Sequence, residues 1–201
     1  MAFIGIKIIG NVGDILSNID VPGIKENKSE YHITLLYFQK NWPISEAAKT
    51  LEATFNVVSE TKPFNCKINK ISCFPKRENE PVAIVAKIES ENLHNLRGSL
   101  FEEFEKFNIN FSKTFKDFNP HITLSYGDNE INDININLIE FQVEEIILWA
   151  GDHGNDRVFI TFPLEAQQSL ELKQNNLSNK LANNPNVDHF IQSQERRKKD
   201  R

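Results

Sequence analysis

Apolar residues in this chain recur at every second position in some stretches and at every third or fourth position in others. The first spacing is typical of half-buried strands and the second of amphipathic helices. Strands are predicted at residues 3–9, 32–37, 64–74, 82–88, 121–126, 141–150 and 157–162. Helices are predicted at residues 45–58 and 90–107, with Ser45 and Ser90 as their N-caps. A loop is expected after the first strand, where Gly and Asp residues follow.

The order of these elements predicts an α+β fold. Each half of the chain carries one helix and its own strands, which favours two similar lobes with small antiparallel-rich sheets and flanking helices around a central cleft. Residues 1–163 make up this domain. The composition shifts after Pro163, and residues 164–201 are predicted to be a C-terminal extension with a helix at 164–183. Its polar, basic-ended tail is expected to be disordered, to contact a partner or to self-associate.

A nearly identical segment occurs twice among the predicted strands. It reads His32-Ile33-Thr34-Leu35 in the first half of the chain and His121-Ile122-Thr123-Leu124 in the second. Side chains of a strand alternate between its two faces, so His and Thr share one face while Ile and Leu share the other. If the two lobes pack as a pseudo-symmetric pair, two imidazoles and two hydroxyls meet across the cleft.

Such a set of side chains suits proton transfer around a phosphate. One His can remove a proton while the other donates one, and the Thr hydroxyls can hold non-bridging oxygens. The repeat favours this interpretation, although a single His-x-Thr on a strand is more often structural. No carboxylate cluster accompanies the motifs, and Cys66 and Cys73 have no second pair with which to build a cage. We therefore expect no metal and no cofactor.

The charge of the chain limits its partners. A net charge of −5 and a pI near 5.6 argue against the broad basic surface that long nucleic acids require. A small nucleotide or a short oligonucleotide in a local pocket remains compatible. No apolar stretch is long enough for a membrane helix, and residues 1–9 lack the features of a signal peptide. The expected location is the cytoplasm, or the host cytoplasm if a virus encodes the protein.

With both motifs in view, the chain resembles the two-histidine (2H) phosphoesterase superfamily, which includes RNA ligase-like and cyclic phosphodiesterase enzymes. The pattern His, hydrophobic, Thr, hydrophobic occurs at residues 32–35 and 121–124, and the resemblance extends from about residue 2 to residue 163. It implies a bilobal fold and metal-independent chemistry on 2′,3′-cyclic phosphates, 2′-5′-linked oligoadenylates or related phosphodiesters. It also implies that His32 and His121 are catalytic and that Thr34 and Thr123 bind the phosphate.

The chain departs from this resemblance after each motif. Many RNA ligase-like members carry Arg three positions after the second Thr, where this chain has Tyr126, and Tyr37 holds the matching place in the first motif. Arg grips a phosphate with two hydrogen bonds, whereas Tyr offers one hydrogen bond and a ring. The two Tyr residues are therefore candidates for binding a base or a sugar.

Further candidates are weaker. Lys7 shares a strand face with Phe3 and Gly5 and either reaches the cleft as a counter-charge or faces solvent. Trp149 and the turn at residues 151–154 either stack a base or serve as core and an ordinary turn. Phe115 and Phe118, just before the second motif, either line the pocket or belong to the core.

Three functions remain open at this point. The leading one is a metal-independent phosphodiesterase that cleaves RNA-like phosphodiester bonds in small nucleotides or oligonucleotides. Its favoured substrates are nucleotide second messengers of host defence, either 2′-5′ oligoadenylates or cyclic oligonucleotides, in the manner of anti-CBASS proteins. The Tyr residues, the acidic charge and an Asn-, Ile-, Lys- and Phe-rich composition typical of an AT-rich viral genome favour it. The second is an RNA-end 2′,3′-cyclic phosphodiesterase or 2′-5′ RNA ligase-like enzyme. The third is a non-catalytic nucleotide- or RNA-binding module. Which His is the acid and which the base is not decided by the sequence.

Overall fold

The computed structural model describes residues 2–38, 46–113, 117–150 and 158–165, with the side chains of residues 158 and 159 excepted. The Ser45 cap, Phe115, the turn at residues 151–156 and the extension beyond residue 165 lie outside the described residues. In the described part of the chain, no helix is both long and apolar enough to cross a membrane.

Nine strands, three α-helices and a short 3-10 helix at Lys28–Glu30 make up the described fold. The strands are β1 (Ala2–Lys7), β2 (Ile24–Lys25), β3 (His32–Tyr37), β4 (Phe64–Cys73), β5 (Val82–Glu89), β6 (His121–Gly127), β7 (Ile134–Val143), β8 (Glu145–Ala150) and β9 (Val158–Pro163). The helices are α1 (Gly10–Ser17), α2 (Ala47–Glu60) and α3 (Glu91–Lys106). Sheet A has the strand order β3-β1-β8-β9 and sheet B the order β2-β6-β5-β4-β7. All strand pairs are antiparallel, which confirms the predicted α+β class.

Two stretches differ from the prediction. The expected loop after β1 contains α1, where Leu16 is buried but two glycines and few apolar residues weaken the helical pattern. The strand expected at residues 141–150 is two strands, because the chain leaves sheet B at Val143 and enters sheet A at Glu145. A continuous apolar run does not reveal such a change of sheet.

The two sheets are not formed by the two halves of the sequence, contrary to the expectation that each half carries its own strands. Sheet A combines β1 and β3 from the start of the chain with β8 and β9 from its end, since β8 pairs with β1. Sheet B takes both strands of the β4–β5 hairpin from the first half. The second motif strand, β6, pairs with β5. The lobes therefore depend on pairing between distant segments.

Both motif strands bury the residues that the alternation assigned to the core. Ile33 and Ile122 are fully buried, and Leu35 and Leu124 are nearly so. They belong to one continuous apolar cluster rather than to two separate cores. Packing continues to residue 165, because Leu164 is buried in that cluster and the Glu165 amide donates to carbonyls of α2 and its C-cap. The predicted N-cap of α3 is confirmed, since the Ser90 hydroxyl accepts from the Leu93 amide.

Each motif strand contains a β-bulge at the same place. In β3, Thr34 pairs with Gly5 and Leu36 with Ile4, so Leu35 is the extra residue. In β6, Thr123 pairs with Val85 and Ser125 with Ile84, so Leu124 is the extra residue. A bulge inserts one residue and shifts the alternation that follows it. The residue three positions after each Thr, which a regular strand would turn into the core, therefore returns to the face of the His.

Candidate active site

The two motifs face one cleft between the sheets, with a volume of about 700 Å³. Its walls contain the His and the Thr of each motif together with aromatic residues of and next to the neighbouring strands. From the sequence predictions it includes His32, Thr34, Tyr37, His121, Thr123, Tyr126 and Trp149. The structure thus brings together seven of the eight predicted site residues. The eighth, Lys7, is the cross-strand partner of His32 in β1 and does not line the cleft.

The two imidazoles are oriented in the same way. Nδ1 of His32 lies 2.6 Å from the backbone carbonyl oxygen of Glu30, and Nδ1 of His121 lies 2.7 Å from that of Asn119. A carbonyl oxygen can only accept a hydrogen bond, so Nδ1 carries the proton in both rings. Nε2 of each His is then a base when the ring is neutral and an acid when the ring is charged.

The His32 ring is packed among aromatic side chains. Phe3 stacks on it with ring centroids 4.6 Å apart and an interplanar angle of 23°, and Trp149 lies 5.5 Å away. Phe3 can reach His32 because Gly5 lies between them: a Cβ there would stand 2.9 Å from the Phe3 ring and 2.5 Å from the carbonyl oxygen of Ile33. The absence of a side chain at residue 5 therefore helps to fix the position of His32.

The surroundings of His121 are different. Phe74, at the end of β4, meets the His121 ring edge to face with centroids 4.7 Å apart. Nζ of Lys87 lies 5.3 Å from the centroid of the same Phe74 ring. Lys87 is also the cross-strand partner of His121. The His32 ring is thus stacked on Phe3 in a cluster with Trp149, whereas the His121 ring has the Lys87 cation beside it.

Burial lowers the pKa of both histidines, since it penalises the charged imidazolium. For His32, the hydrogen bond to the Glu30 carbonyl and the negative charges of Glu30 and Glu26 oppose this fall in pKa. For His121, the hydrogen bond to Asn119 opposes it, but the positive charges of His32 and Lys87 lower the pKa further. The charges around the cleft thus favour the protonated form of His32 over that of His121.

The tyrosines after each motif occupy the cleft because of the two bulges. Tyr126 is 40% exposed there, and Tyr37 packs against the cluster of Phe3 and Trp149. Burial raises the pKa of the Tyr126 phenol and the charge of Glu26 adds to the rise, while a hydrogen bond with the Thr123 side chain opposes it. Tyr126 therefore stays a neutral phenol beside the second motif.

Several cleft residues were missed by the sequence analysis. Glu26 lies next to the second motif because its amide donates to the Leu124 carbonyl. Arg97 reaches the cleft from α3, with its guanidinium 5.2 Å from the Phe118 ring centroid. Phe118 itself lines the cleft, which was one of the two alternatives left open for it. No local pattern identifies Glu26 or Arg97, because each is placed by contacts with distant segments.

Candidate metal ligands are not grouped in the described residues. No cluster of three or more His, Cys, Asp or Glu side chains occurs among them. The cleft lining includes the two imidazoles, the two Thr hydroxyls and the Tyr126 phenol. The chemistry that this set supports is proton transfer and hydrogen bonding.

Paired His-x-Thr strands that face one cleft between two antiparallel sheets define the class of two-histidine phosphoesterases. A family model described as the 2′-5′ RNA ligase superfamily matches residues 25–155, which is more than half of the chain and includes both motifs. The chain belongs to the 2′-5′ RNA ligase superfamily.

Solved structures share the fold. Protein TT0787 of Thermus thermophilus matches with a TM-score of 0.68 at 20% identity, over 82% of this chain and 97% of that chain. E. coli LigT complexed with 3′-AMP matches with a TM-score of 0.58 at 17% identity, over 81% of this chain and 96% of LigT. No match was found among curated proteins. At these identities the structural likeness concerns the fold, which confirms the bilobal architecture that the resemblance implied.

Proposed function

We propose that the protein is a metal-independent phosphodiesterase that cleaves RNA-like phosphodiester bonds in small nucleotides or short oligonucleotides. One observation carries this proposal. Backbone carbonyls two residues before His32 and His121 hold both Nδ1 atoms, so both Nε2 atoms serve one cleft. An acid and a base on opposite sides of a phosphate are what phosphodiester cleavage needs.

The charges around the two rings support one choice of roles. The positive charges of His32 and Lys87 favour the neutral form of His121, which we therefore propose as the base. The negative charges of Glu26 and Glu30 favour the protonated form of His32, which we propose as the acid. Thr34 and Thr123, one pleat on from each His, donate hydrogen bonds to the non-bridging oxygens of the phosphate.

The reaction then involves two proton transfers, one to His121 and one from His32. Nε2 of His121 takes the proton from a water or an adjacent ribose hydroxyl as its oxygen forms a bond to phosphorus. The bond between phosphorus and the leaving oxygen breaks, and Nε2 of His32 gives its proton to that oxygen. Proton transfer between the rings and solvent restores the starting state.

The substrate class we favour is a nucleotide second messenger of host defence, with a 2′-5′-linked or cyclic oligonucleotide backbone. Tyr126 and Tyr37 support it, because each places a ring and one hydroxyl at positions where Arg would grip a terminal phosphate. Phe74 adds aromatic surface for a base, whereas Trp149 is buried against Phe3 and serves as core. The neighbour LigT was crystallised with 3′-AMP, ATP and NADP+, which supports a nucleotide in the cleft.

A panel of substrates incubated in EDTA tests the function. It contains 2′,3′-cyclic mononucleotides, 2′-5′ oligoadenylate and 3′,5′-linked cyclic dinucleotides. We expect turnover of at least one member to persist at excess chelator. Turnover of the cyclic mononucleotides alone would indicate the RNA-end enzyme. Activity that EDTA abolishes would overturn the mechanism, and binding without turnover of any member would indicate a non-catalytic binding module.

The pH dependence tests the roles of the two histidines. We expect kcat/KM to follow a bell with both limbs below about 6.5, the ordinary imidazole pKa, because burial lowers the pKa of both His32 and His121. The substitution Glu26→Gln removes a negative charge that favours protonated His32. The pKa of His32 then falls further, so the alkaline limb of the profile moves to lower pH.

The matched control is Glu52→Gln, which removes a carboxylate from the exposed side of α2 and should leave both limbs in place. The measurement is kcat/KM at constant ionic strength from pH 4 to 9. An unchanged alkaline limb in Glu26→Gln, or one displaced to higher pH, would contradict the assignment of His32 as the acid.

A further inference from the structure

A row of polar residues leads away from His121 across the open face of sheet B. His121 of β6 pairs with Lys87 of β5, and Lys87 pairs with Lys70 of β4. Lys70 pairs in turn with Asn135 of β7. Residues that are direct cross-strand partners project from the same face of a sheet. On this face of sheet B, Lys87 and Lys70 therefore lie one and two strands away from the His121 imidazole.

The ammonium groups of Lys87 and Lys70 differ in their ion pairing. Nζ of Lys70 lies 3.2 Å from a carboxylate oxygen of Asp133, which also accepts a hydrogen bond of 2.6 Å from the Ser72 hydroxyl. Lys87 forms no ion pair within the part of the chain that the structure describes, and its ammonium lies over the Phe74 ring. The charge of Lys70 is compensated by a direct ion pair, whereas Lys87 interacts with the same Asp133 only at longer range, so its ammonium can still bind an anionic ligand.

The position of Lys87 relative to His121 suits a chain of phosphates. Neighbouring strands lie about 4.8 Å apart, so the Cα atoms of these two residues are separated by about one such step. Successive phosphates of a nucleic acid strand advance about 3.4 Å along a stacked helix and further when the strand is extended. Lys87 does not line the cleft itself, but its ammonium and the His121 ring both contact the Phe74 ring, so a second phosphate next to the scissile one can lie beside that ammonium.

We infer that Lys87 binds a second, non-scissile phosphate of the substrate and so makes the protein selective for oligonucleotides over mononucleotides. This inference rests on the proposed function. Phe74 supports the site twice, because its ring contacts both the Lys87 ammonium and the His121 imidazole. The second phosphate then lies on sheet B, on the side of His121, the proposed general base, and away from Glu26 and Glu30.

Paired substrates that differ by one nucleotide, and hence by one phosphate, test this site. One pair is a 2′,3′-cyclic mononucleotide and a dinucleotide that ends in the same cyclic phosphate. The other is a 2′-5′-linked diadenosine monophosphate and the corresponding triadenosine diphosphate. For the wild type we expect a higher kcat/KM for the longer member. The variant Lys87→Met should reduce that preference about tenfold, as for the loss of one charged hydrogen bond.

The comparison between two substrates separates phosphate binding from other effects of the substitution. Loss of the Lys87 charge also raises the pKa of His121, but this changes the rate of both members alike. The slope of log kcat/KM against log salt for the longer member should become shallower by about 0.7, the value for one phosphate of a single strand. Lys87→Arg should keep the preference.

The matched control is Lys67→Met, which removes an exposed cation of β4 that pairs with Glu140. It should leave the preference and the salt slope unchanged. Equal effects of Lys87→Met on both members of each pair would overturn the inference while the proposed function stands. Absence of turnover of every member by the wild type would overturn the proposed function, and this inference with it.

Discussion

Replacement of either His32 or His121 by alanine is expected to lower kcat/KM about 10²- to 10⁴-fold, the usual contribution of a general acid or base. Each substitution removes an imidazole whose orientation is fixed by a backbone carbonyl that accepts from Nδ1. The double variant should lose little more than either single one, since an acid and a base that act in one step form a unit.

Steady-state kinetics in EDTA on the best substrate of the panel measure this loss. His94→Ala is the matched control, because His94 lies on α3 and contacts Phe118 without lining the cleft. It should retain wild-type turnover. Circular dichroism should show the same fold for all four variants. Losses that multiply in the double variant would indicate independent roles, and turnover that survives both substitutions would exclude acid–base catalysis by this pair.

The substitution Gly5→Ala is expected to impair the site although it replaces no motif residue. A methyl group at residue 5 would meet the Ile33 carbonyl oxygen at 2.5 Å and the Phe3 ring at 2.9 Å. Since the carbonyl belongs to a paired strand, β1 and β3 must separate or Phe3 must leave the His32 ring. Displacement of a catalytic group by about 1 Å can cost 10²-fold in rate, and overpacking costs about 1–3 kcal/mol of stability.

Gly98→Ala on α3 is the control, because a Cβ at residue 98 meets no atom within 4 Å. Alanine is favoured over glycine in a helix by up to about 1 kcal/mol, so this variant should keep its activity and melt at a slightly higher temperature. Thermal unfolding and kcat/KM are measured on both variants. A Gly5→Ala protein with wild-type activity would show that the Phe3 stack does not position His32.

The paired motifs show which structural features can be predicted from the local sequence pattern. The alternation of His, Ile, Thr and Leu correctly assigned Ile33 and Ile122 to the core and the histidines to the other face. That alternation depends only on the geometry of a single strand. The Ser90 cap was predictable for the same reason, because a cap involves residues three positions apart.

Contacts between distant segments were not predictable in this way. The apolar run at residues 141–150 contains no signal that it changes sheets after Val143. The bulges at Leu35 and Leu124 arise from the pairing of each motif strand with its neighbour. A regular strand would have placed Tyr37 and Tyr126 in the core, so their presence in the cleft depends on tertiary structure.

The sequence by itself determined which chemical groups this protein places on one face of two strands, since alternation along a strand is a local property of the backbone. The tertiary structure alone decided what stands beside those groups. Phe3 reaches His32 across Gly5, Lys87 lies next to His121, and two bulges return a tyrosine to each motif. These arrangements are set by strand pairing between segments that are far apart in the chain, and a single sequence does not specify such pairing locally.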